Sequence, residues 1–287
     1  MKTAGVIGLG IMGSAMSANL VKAGFQVHGY DVAAAARDEL RKAGGRPAAC
    51  AREVAGLAPV VITSLPSAAA LHAVCGEIEG KCVVVETSTL PIDEKLRALE
   101  TLKRKGITLL DCPLSGTGAQ AKVKDLSVYG SGDKKAFEST QEVLEGFSRA
   151  HYYLGEFGNG SKMKYVANLL VAIHNVAAAE AFALGMKAGL EPRTIYQVAG
   201  DGAGGSRMFQ VRGPQMVAGR YDEATMKVEV WQKDMKIIGE YATKLGVPTP
   251  LFNASAAVYT AAMAQGFEKQ DTASVLAVLE QLSGLRR

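Results

Sequence analysis

The chain has 287 residues, of which 48% are hydrophobic and 21% are charged, so it can bury a sizeable core and is not expected to be disordered. The 32 Lys and Arg residues only slightly exceed the 28 Asp and Glu residues and form no basic block, which argues against a nucleic-acid partner. The four cysteines form no CxxC pair and have no His at metal-ligand spacing, so we expect reduced thiols and no metal site.

The N-terminal residues lead directly into an apolar strand pattern, without the charged region, apolar run and cleavage site of a signal peptide. We therefore expect a cytoplasmic protein. Residues 55–76 carry no Lys, Arg, Asp or Glu and are long enough to span a bilayer as one helix. Pro59 and Pro66 would each break that helix, so we instead predict a buried strand at 60–64, a helix from about Ser67, and no membrane partner.

The first half of the chain alternates short apolar runs with amphipathic segments. Strands are predicted at 5–7, 26–30, 59–63, 82–85 and 107–110, with two more at 126–130 and 151–154 around a helix at 134–144. Strands that are apolar on both faces are typical of a parallel sheet covered by helices.

After Gly160 the strand signals stop. Residues 161–190 form a nearly uncharged helical pattern, and further Ala-, Leu- and Met-rich helical stretches follow, separated by loops at 200–206 and 246–250. We predict an α/β fold, with a Rossmann-type, doubly wound parallel sheet in residues 1–160 and an all-α domain in residues 161–287, linked by the long helix. A nearly uncharged helix must be covered on most sides, so we expect a homodimer or homotetramer.

A glycine-rich motif, Gly8-Leu9-Gly10-Ile11-Met12-Gly13, lies between the first predicted strand and a helix at 14–22. In this context Gly8 would make the tight turn, Gly10 would let the backbone approach a pyrophosphate, and Gly13 would let the helix pack on the strand. The helix N-terminus would face the phosphates. The motif predicts that residues 1–160 bind a dinucleotide, and the alternative is a purely structural turn.

Asp31 ends the second predicted strand, at about the spacing where an acidic residue accepts hydrogen bonds from the adenosine ribose. Its charge would repel a 2′-phosphate, so NAD is favoured as the cofactor. Arg37 could still admit NADP, and a helix cap is the alternative role for Asp31.

The long predicted helix carries three polar residues on one face. At about 100° per residue, Lys164, Asn168 and Asn175 fall within about 40° of one another, on an otherwise apolar helix. This arrangement indicates a polar site. In the alternative interpretation, Lys164 extends into solvent from an exposed helix start and the Asn residues satisfy buried loops.

Three further segments carry distinctive residues: 111–119 (DCPLSGTGA) just beyond a predicted strand, Gly158-Asn159-Gly160 at the start of the long helix, and Lys233-Asp234-Met235 in the helical half. Together with the glycine-rich motif, and in the same order over the whole chain, they resemble the β-hydroxyacid dehydrogenases. That group contains 3-hydroxyisobutyrate dehydrogenase, tartronate semialdehyde reductase, glyoxylate/succinic semialdehyde reductase and threonate dehydrogenase. The resemblance implies a Rossmann domain joined by a long helix to an all-α domain like the C-terminal domain of 6-phosphogluconate dehydrogenase.

The resemblance also implies roles for individual residues. Lys164 would be the catalytic general acid/base, and Asn168 would orient the substrate. The substrate would be bound by Ser115, Gly116, Thr117 and Lys233. The cofactor would be bound by Gly8, Gly10, Ile11, Met12, Gly13, Asp31, Leu65, Pro66, Thr89 and Lys233, with Leu65, Pro66 and Thr89 lining the nicotinamide side. The usual Ser-Gly-Gly of the family is here Ser115-Gly116-Thr117, which makes the substrate harder to name.

These roles agree with the chemistry of hydroxy-acid oxidation. Forming a carbonyl from an alcohol needs a base for the hydroxyl proton, and the reverse reaction needs an acid. A lysine is charged at neutral pH and ready as an acid, whereas burial or a nearby cation such as Lys233 must lower its pKa before it acts as a base. Ser115 Oγ and the N–H groups of Gly116 and Thr117 could hold the substrate carboxylate.

Arg207 and Arg212 follow a Gly-rich segment in the helical half. They are candidates for binding the far end of the substrate, and the alternative is that they are solvated or ion-paired.

The sequence therefore predicts an NAD-dependent 3-hydroxyacid dehydrogenase. It would interconvert a small β-hydroxy or short polyhydroxy acid and its semialdehyde or keto acid. Two alternatives remain: an NADPH-dependent reductase of the glyoxylate/succinic semialdehyde type, and a non-enzymatic dinucleotide-sensing protein. The exact hydroxy acid, the physiological direction and the choice between dimer and tetramer are left open.

Overall fold

The computed structural model describes residues 2–285. The chain divides into two compact units, Met1–Lys164 and Tyr165–Arg287. The division falls inside a helix of 29 residues, Asn159–Lys187. This helix therefore starts in the first unit and continues in the second.

The first unit contains a six-stranded parallel sheet. Its strands are β1 (Thr3–Ile7), β2 (Gln26–Tyr30), β3 (Arg46–Pro47), β4 (Val60–Thr63), β5 (Val83–Glu86) and β6 (Thr108–Asp111). They are connected by helices α1 (Ile11–Lys22), α2 (Ala34–Lys42), α3 (Ala51–Leu57), α4 (Ala68–Glu77) and α5 (Ile92–Lys103). The order is β3-β2-β1-β4-β5-β6, with all neighbouring pairs parallel. This confirms the predicted doubly wound sheet. The order in which successive strands are added reverses between β1 and β4, and sheets of this kind bind ligands at that point.

Both faces of this sheet are buried because its strands are apolar on both sides. On β1, Val6 packs into one apolar cluster and Ile7 into another, and neither residue is more than 2% exposed. On β4, Ile62 and Val61 alternate between the same two clusters. The continuous apolar runs in the sequence thus reflect helices packing on both sides.

A smaller three-stranded sheet follows β6. It consists of β7 (Leu114–Ser115), β8 (Ser127–Gly130) and β9 (Ala150–Tyr153), with β7 antiparallel and β9 parallel to β8. Helix α6 (Gly118–Lys122) connects β7 to β8, and α7 (Lys134–Phe147) connects β8 to β9. Backbone hydrogen bonds between Asp111 and Ser131 join the two sheets. The smaller sheet therefore continues directly from the end of β6.

The second unit is helical throughout its described part. It contains the remainder of α8 (Asn159–Lys187), then α9 (Pro192–Asp201), α10 (Arg207–Ala218), α11 (Val228–Lys244), α12 (Pro250–Ala264), a short 3-10 helix (Thr272–Ser274) and α13 (Val275–Leu282). Residues 165–285 contain no β-strand. The predicted all-α second half is confirmed.

Within residues 55–76, the strand predicted at 60–64 is β4, one residue shorter, and the helix predicted from about Ser67 is α4; residues 55–57 are the end of α3. Ser67 caps α4 by accepting a hydrogen bond from Ala70 N at 3.2 Å. Among the described residues, α8 is the one helix long and apolar enough to cross a membrane by length and composition. The core helices of soluble proteins meet the same criterion, so this property is weak evidence for a membrane span.

Candidate active site

The loop between β1 and α1 requires glycine at two positions. Gly8 has a φ of +89°, in the left-handed region that favours glycine, and a Cβ there would lie 2.2 Å from Ser64 O. A Cβ on Gly13 would lie 1.8 Å from Gly8 O, so a side chain would force α1 away from β1. A Cβ on Gly10, in contrast, would have no neighbour within 4 Å. Gly10 therefore leaves open space beside the N-terminus of α1, where a pyrophosphate can approach the backbone.

Asp31 connects the end of β2 to the glycine-rich loop. Its Oδ2 accepts a hydrogen bond from Leu9 N at 2.7 Å, and its Oδ1 accepts one from Ala33 N at 2.8 Å. Each carboxylate oxygen can still accept a further donor such as a ribose hydroxyl. Arg37 Nη1 donates to Asp31 O at 2.5 Å and to Val32 O at 3.2 Å. Arg37 therefore supports the backbone of the same loop.

The loops after β4 and β5 are joined by a hydrogen bond from Leu65 N to Ser88 Oγ, 2.8 Å long. Leu65 and Thr89 are half-buried, and Pro66 is exposed. Because β4 and β5 are adjacent and parallel, both loops lie at the carboxyl edge of the sheet, where Gly8 follows β1. The predicted nicotinamide residues therefore share one edge with the glycine-rich loop.

The loop after β6 carries the predicted substrate residues. Ser115 ends β7, and Gly116 has a φ of +130°. A Cβ on Gly116 would lie 2.6 Å from Leu126 Cδ2. Thr117 N donates to Gln120 Oε1 at 3.0 Å. The Thr117 amide thus already has an acceptor on α6, and its part in an anion cradle stays a prediction. Ser115 Oγ and the Gly116 N–H remain candidate hydrogen-bond donors to the substrate carboxylate.

The substrate loop also contacts the glycine-rich loop. A Cβ on Gly118 would lie 2.4 Å from Ile11 Cγ2, so the Ile11 side chain packs against the backbone of Gly118. Asn19 Nδ2, on α1, donates to Ala121 O, on α6, at 2.7 Å. The fold of the first unit thereby brings together the loops predicted to bind cofactor and substrate.

Helix α8 starts in close contact with the sheets of the first unit. A Cβ on Gly160 would lie 2.2 Å from Tyr129 O and 2.6 Å from Asp111 O, so this approach requires glycine. Lys164 follows one turn later and is only 9% exposed. This burial argues against the alternative in which Lys164 extends into solvent.

In the second unit, Asp234 connects two predicted site residues. Asn168 Nδ2 donates to Asp234 Oδ2 at 2.9 Å, and Lys233 Nζ lies 3.2 Å from Asp234 Oδ1. Asn168 is 4% exposed. Asp234 therefore orients the Asn168 amide. Sequence reasoning assigned it no role, although it directly follows Lys233, because spacing along the chain does not reveal a partner on another helix.

Asn175 has partners inside the second unit. Its Nδ2 donates to Tyr259 Oη and to Thr272 O, both at 2.9 Å. Asn175 therefore satisfies buried groups of the helical core, as in the alternative interpretation, although it lies on the predicted polar face of α8.

Arg212 is ion-paired rather than directed at a ligand. Its Nη1 lies 2.7 Å from Asp271 Oδ2 and 2.5 Å from Thr225 Oγ1, and the residue is 3% exposed. This confirms the ion-paired alternative for Arg212 and withdraws it from the substrate candidates. Arg207 is the first residue of α10.

Burial makes three cysteines of the first unit unreactive. Burial raises the pKa of Cys75 to about 12 and that of Cys82 to about 11. Burial, together with the Asp111 carboxylate, also raises the pKa of the Cys112 thiol beside the substrate loop. A protonated thiol is a poor nucleophile, so Cys112 is not a catalytic candidate. Residues 2–285 contain no cluster of three or more His, Cys, Asp or Glu side chains suited to hold a metal ion.

The first unit fits a nicotinamide dinucleotide. The open space at Gly10 accommodates a pyrophosphate at the N-terminus of α1, and the Asp31 carboxylate has capacity for ribose hydroxyls at the end of β2. This fold and these loops, followed along the chain by a helical unit, are those of a dinucleotide-binding oxidoreductase.

Comparison with protein families agrees with this class. The model of the NAD-binding domain of 6-phosphogluconate dehydrogenase matches residues 3–155. The model of the NAD-binding domain of NADP-dependent 3-hydroxyisobutyrate dehydrogenase matches residues 158–279. The two matches follow each other along nearly the whole chain.

Individual relatives span the same length. The L-threonate dehydrogenase of Cupriavidus necator is 32% identical, over 96% of this chain and 95% of the relative. The 2-(hydroxymethyl)glutarate dehydrogenase of Eubacterium barkeri is 28% identical, over 98% and 96%. A crystal structure of 3-hydroxyisobutyrate dehydrogenase from Salmonella typhimurium has a TM-score of 0.87 at 29% identity, over 97% of this chain and 100% of that chain.

The chain belongs to the β-hydroxyacid dehydrogenase family. It is therefore an NAD(P)-dependent hydroxyacid dehydrogenase, which confirms the predicted enzyme class and disfavours the dinucleotide-sensing alternative.

Proposed function

We propose that this enzyme uses Lys164 as general acid/base to interconvert a short hydroxy acid with one carboxylate and its carbonyl product, with NAD preferred over NADP. The observation that carries this proposal is a lysine, 9% exposed, one turn into a helix whose first turn packs against the end of β6. A buried lysine at the start of a helix that is anchored to the end of β6 is suited to proton transfer.

Different residues of the chain have different proposed roles in the reaction. Bound nicotinamide supplies or accepts the hydride. In oxidation, Lys164 Nζ takes the proton of the substrate hydroxyl as the carbonyl forms, and in reduction it protonates the developing alkoxide. Asn168, oriented by Asp234, holds the hydroxyl in place. Ser115 Oγ and the Gly116 N–H donate to the substrate carboxylate.

The surroundings of Asp31 support NAD as the preferred cofactor. Its negative charge lies where a 2′-phosphate would be bound, and the Arg37 guanidinium is hydrogen-bonded to the loop backbone. The second candidate is an NADPH-dependent reductase. Its reductase activity is supported by the Arabidopsis thaliana relative named glyoxylate/succinic semialdehyde reductase 2, which is 29% identical over 96% of this chain. NADP is named in the family model that matches residues 158–279, and Arg37 is the residue that would accept the extra phosphate.

The proposed substrate class is supported by the names of the relatives and by the ion pair of Arg212. The relatives are named for threonate, 2-(hydroxymethyl)glutarate and L-serine, which are all short acids with a hydroxyl group near the carboxylate. Because Arg212 is ion-paired with Asp271, it does not offer a cation to a second carboxylate. We therefore propose a monocarboxylate such as threonate or serine, and a dicarboxylate would need Arg207, the other arginine predicted for the far end of the substrate.

The test is a set of initial rates with the purified enzyme. L-threonate, 3-hydroxyisobutyrate, L-serine and 2-(hydroxymethyl)glutarate are oxidised with NAD and with NADP, and glyoxylate and succinic semialdehyde are reduced with NADH and NADPH. We expect the highest kcat/KM for a hydroxy monocarboxylate with NAD. A higher kcat/KM for aldehyde reduction with NADPH would establish the second candidate, and absence of turnover with every compound would contradict the proposal.

We further propose that residues 1–160 bind the cofactor, that residues 161–287 complete the substrate site and form a homo-oligomer, and that the enzyme works in the cytoplasm. Val166, Leu170 and Leu184 are 56%, 46% and 75% exposed and lie within about 40° of one another on α8. A second copy of the chain would cover this apolar stripe. Light scattering at micromolar concentration should therefore give a multiple of the 30.1 kDa chain mass.

A further inference from the structure

Two adjacent strands of the first unit end in buried carboxylates. Glu86 ends β5 and Asp111 ends β6, and the register of the sheet pairs these residues directly. Both are fully buried. Adjacent strands are about 4.8 Å apart, so two ionised carboxylates in this low-dielectric region would repel each other unless a cation lay between them.

Lys95, on α5, supplies that cation. Its Nζ lies 2.6 Å from Glu86 Oε2 and 2.8 Å from Asp111 Oδ1, and the residue is fully buried. Burial alone would lower the pKa of Lys95, but the Asp111 and Glu86 carboxylates outweigh burial and raise its pKa above the ordinary value. The ammonium group is therefore charged at neutral pH.

Asp111 also binds the start of the helix that carries Lys164. Ser161 N donates to Asp111 Oδ2 and Ser161 Oγ donates to Asp111 Oδ1, both at 2.8 Å. Ser161 lies in the first turn of α8, where backbone N–H groups have no acceptor within the helix, and a carboxylate there is also stabilised by the helix dipole. Gly160 N donates to Ser131 Oγ at 2.9 Å beside it. The helix start is thus attached to the end of β6.

Glu86 binds the loop predicted to line the nicotinamide. Its Oε1 accepts a hydrogen bond from Ser88 N at 2.9 Å, and Ser88 Oγ accepts the hydrogen bond from Leu65 N. Ser88 directly precedes Thr89. One ammonium group, acting through two carboxylates, therefore connects the nicotinamide loop to the first turn of α8.

We propose that Lys95, Glu86 and Asp111 form a buried charge clamp that positions Lys164 relative to the nicotinamide loop. The proposal rests on the proposed function, in which Lys164 transfers the proton. Buried ion pairs contribute little net stability compared with apolar residues of similar volume, so stability alone does not account for three buried charges at this point. Lys95 is a positioning residue, because it acts through the segments that its two carboxylates hold.

The test uses two variants that differ in charge balance. Lys95→Met leaves two buried carboxylates without a cation and destabilises the fold. The double variant Lys95→Met/Glu86→Gln removes one cation and one carboxylate together, so the net charge of the cluster equals that of the wild type. Gln can still accept the hydrogen bond from Ser88 N. The double variant therefore keeps the wild-type net charge without the clamp, and it leaves one buried carboxylate without a cation where Lys95→Met leaves two.

Lys105→Met is the matched control. Lys105 Nζ donates to Cys75 O and Ile78 O at the end of α4, both at 2.9 Å, and makes none of the clamp's contacts. Its loss lowers stability without changing the start of α8. We expect this variant to keep the wild-type kcat.

For the double variant we expect a Tm above that of Lys95→Met, because one buried carboxylate and not two lacks a cation. We expect its kcat to be lowered by about 10- to 100-fold relative to the wild type, because small displacements of a reacting group are costly. KM should stay within about twofold. Amide hydrogen exchange in residues 158–165 should accelerate about tenfold in the double variant and not in Lys105→Met. Recovery of kcat together with stability, with wild-type exchange at the helix start, would show that the charges are merely structural and would overturn the proposal.

Two features keep this test decisive. Hydrogen exchange is measured without substrate, so it tests the clamp even if the enzyme turns over no hydroxy acid, an outcome that would contradict the proposed function alone. If the double variant does not fold, Ser161→Ala tests the same connection with all charges intact, against the exposed helix serine variant Ser139→Ala. Ser161→Ala should speed exchange at the helix start and lower kcat about threefold, and wild-type values for both would overturn the proposal.

Discussion

Asp31 serves two purposes with one carboxylate. It accepts hydrogen bonds from the backbone of Leu9 and Ala33, which fixes the glycine-rich loop, and it presents its negative charge where the adenosine ribose would be bound. Both purposes depend on two acceptor oxygens, and an amide side chain provides only one.

We therefore predict that Asp31→Asn lowers kcat/KM for NAD by about 10- to 100-fold, the range for loss of hydrogen bonds to a charged group. It should lower kcat/KM for NADP far less, since repulsion of the 2′-phosphate disappears as well. Initial rates with both cofactors provide the measurement. Asp38→Asn, which alters an exposed residue paired with Arg41, is the control. An unchanged NAD:NADP ratio in Asp31→Asn would show that this residue does not select the cofactor.

At the residue scale, the sequence predicts single motifs well and long-range partners poorly. Gly8, Gly13 and Gly116 have the close approaches or positive φ angles that their motifs require. The helical spacing that groups Lys164 with Asn168 also includes Asn175, which instead satisfies buried groups of the second unit. Angular position on a helix does not reveal what lies opposite each residue.

At the scale of elements, the glycine-rich loop separates two physical requirements. Gly13 is needed for the packing of α1 on β1, because a Cβ would lie 1.8 Å from Gly8 O. Gly10 faces open space and has a φ of −66° that any residue can adopt. Gly13 is therefore required by the fold, and we predict that Gly10 is required by the ligand.

Gly10→Ala should therefore fold with nearly wild-type stability and bind NAD at least about tenfold more weakly, because the added methyl group occupies the approach of the pyrophosphate. Gly13→Ala should lose about 1–3 kcal/mol of unfolding free energy through overpacking. Denaturant unfolding and titration with NAD measure the two quantities. Gly56→Ala, at a helix position where a Cβ meets nothing within 4 Å, is the control. Wild-type NAD affinity in Gly10→Ala would place the pyrophosphate elsewhere.

The periodic elements could be predicted from the sequence, and the shortest ones could not. Strand β2 has its predicted bounds and α7 its predicted start, whereas β3 and β7, each of 2 residues, have no periodic signal. Helix α5 contains a signal that sequence reasoning missed. Lys95 shares the buried face with Ala98 and Leu102, and a lysine at a core position of an amphipathic helix indicates a buried counter-charge.

At the scale of the whole molecule, the change from strands to helices along the sequence corresponds to two compact units. The loops after β1, β2, β4, β5 and β6 carry the predicted cofactor and substrate residues of the first unit. These loops lie at the carboxyl edge of the sheet, where open α/β sheets bind ligands. Helix α8 runs through the division between the units. A residue near its start can therefore be anchored to the sheet while the rest of the helix belongs to the helical unit.

The most direct test of this account is the turnover of Lys164→Met, compared with its affinity for NAD. The matched control is Lys162→Met, which removes an exposed lysine of the same helix, paired with Asn159. We expect Lys164→Met to lower kcat by about 10²- to 10⁴-fold, the usual contribution of a general acid/base. Its Kd for NAD should stay within about twofold, and Lys162→Met should behave as the wild type. A kcat near the wild-type value in Lys164→Met, or equal losses of turnover and NAD affinity, would contradict the assignment of Lys164 as the proton-transferring residue.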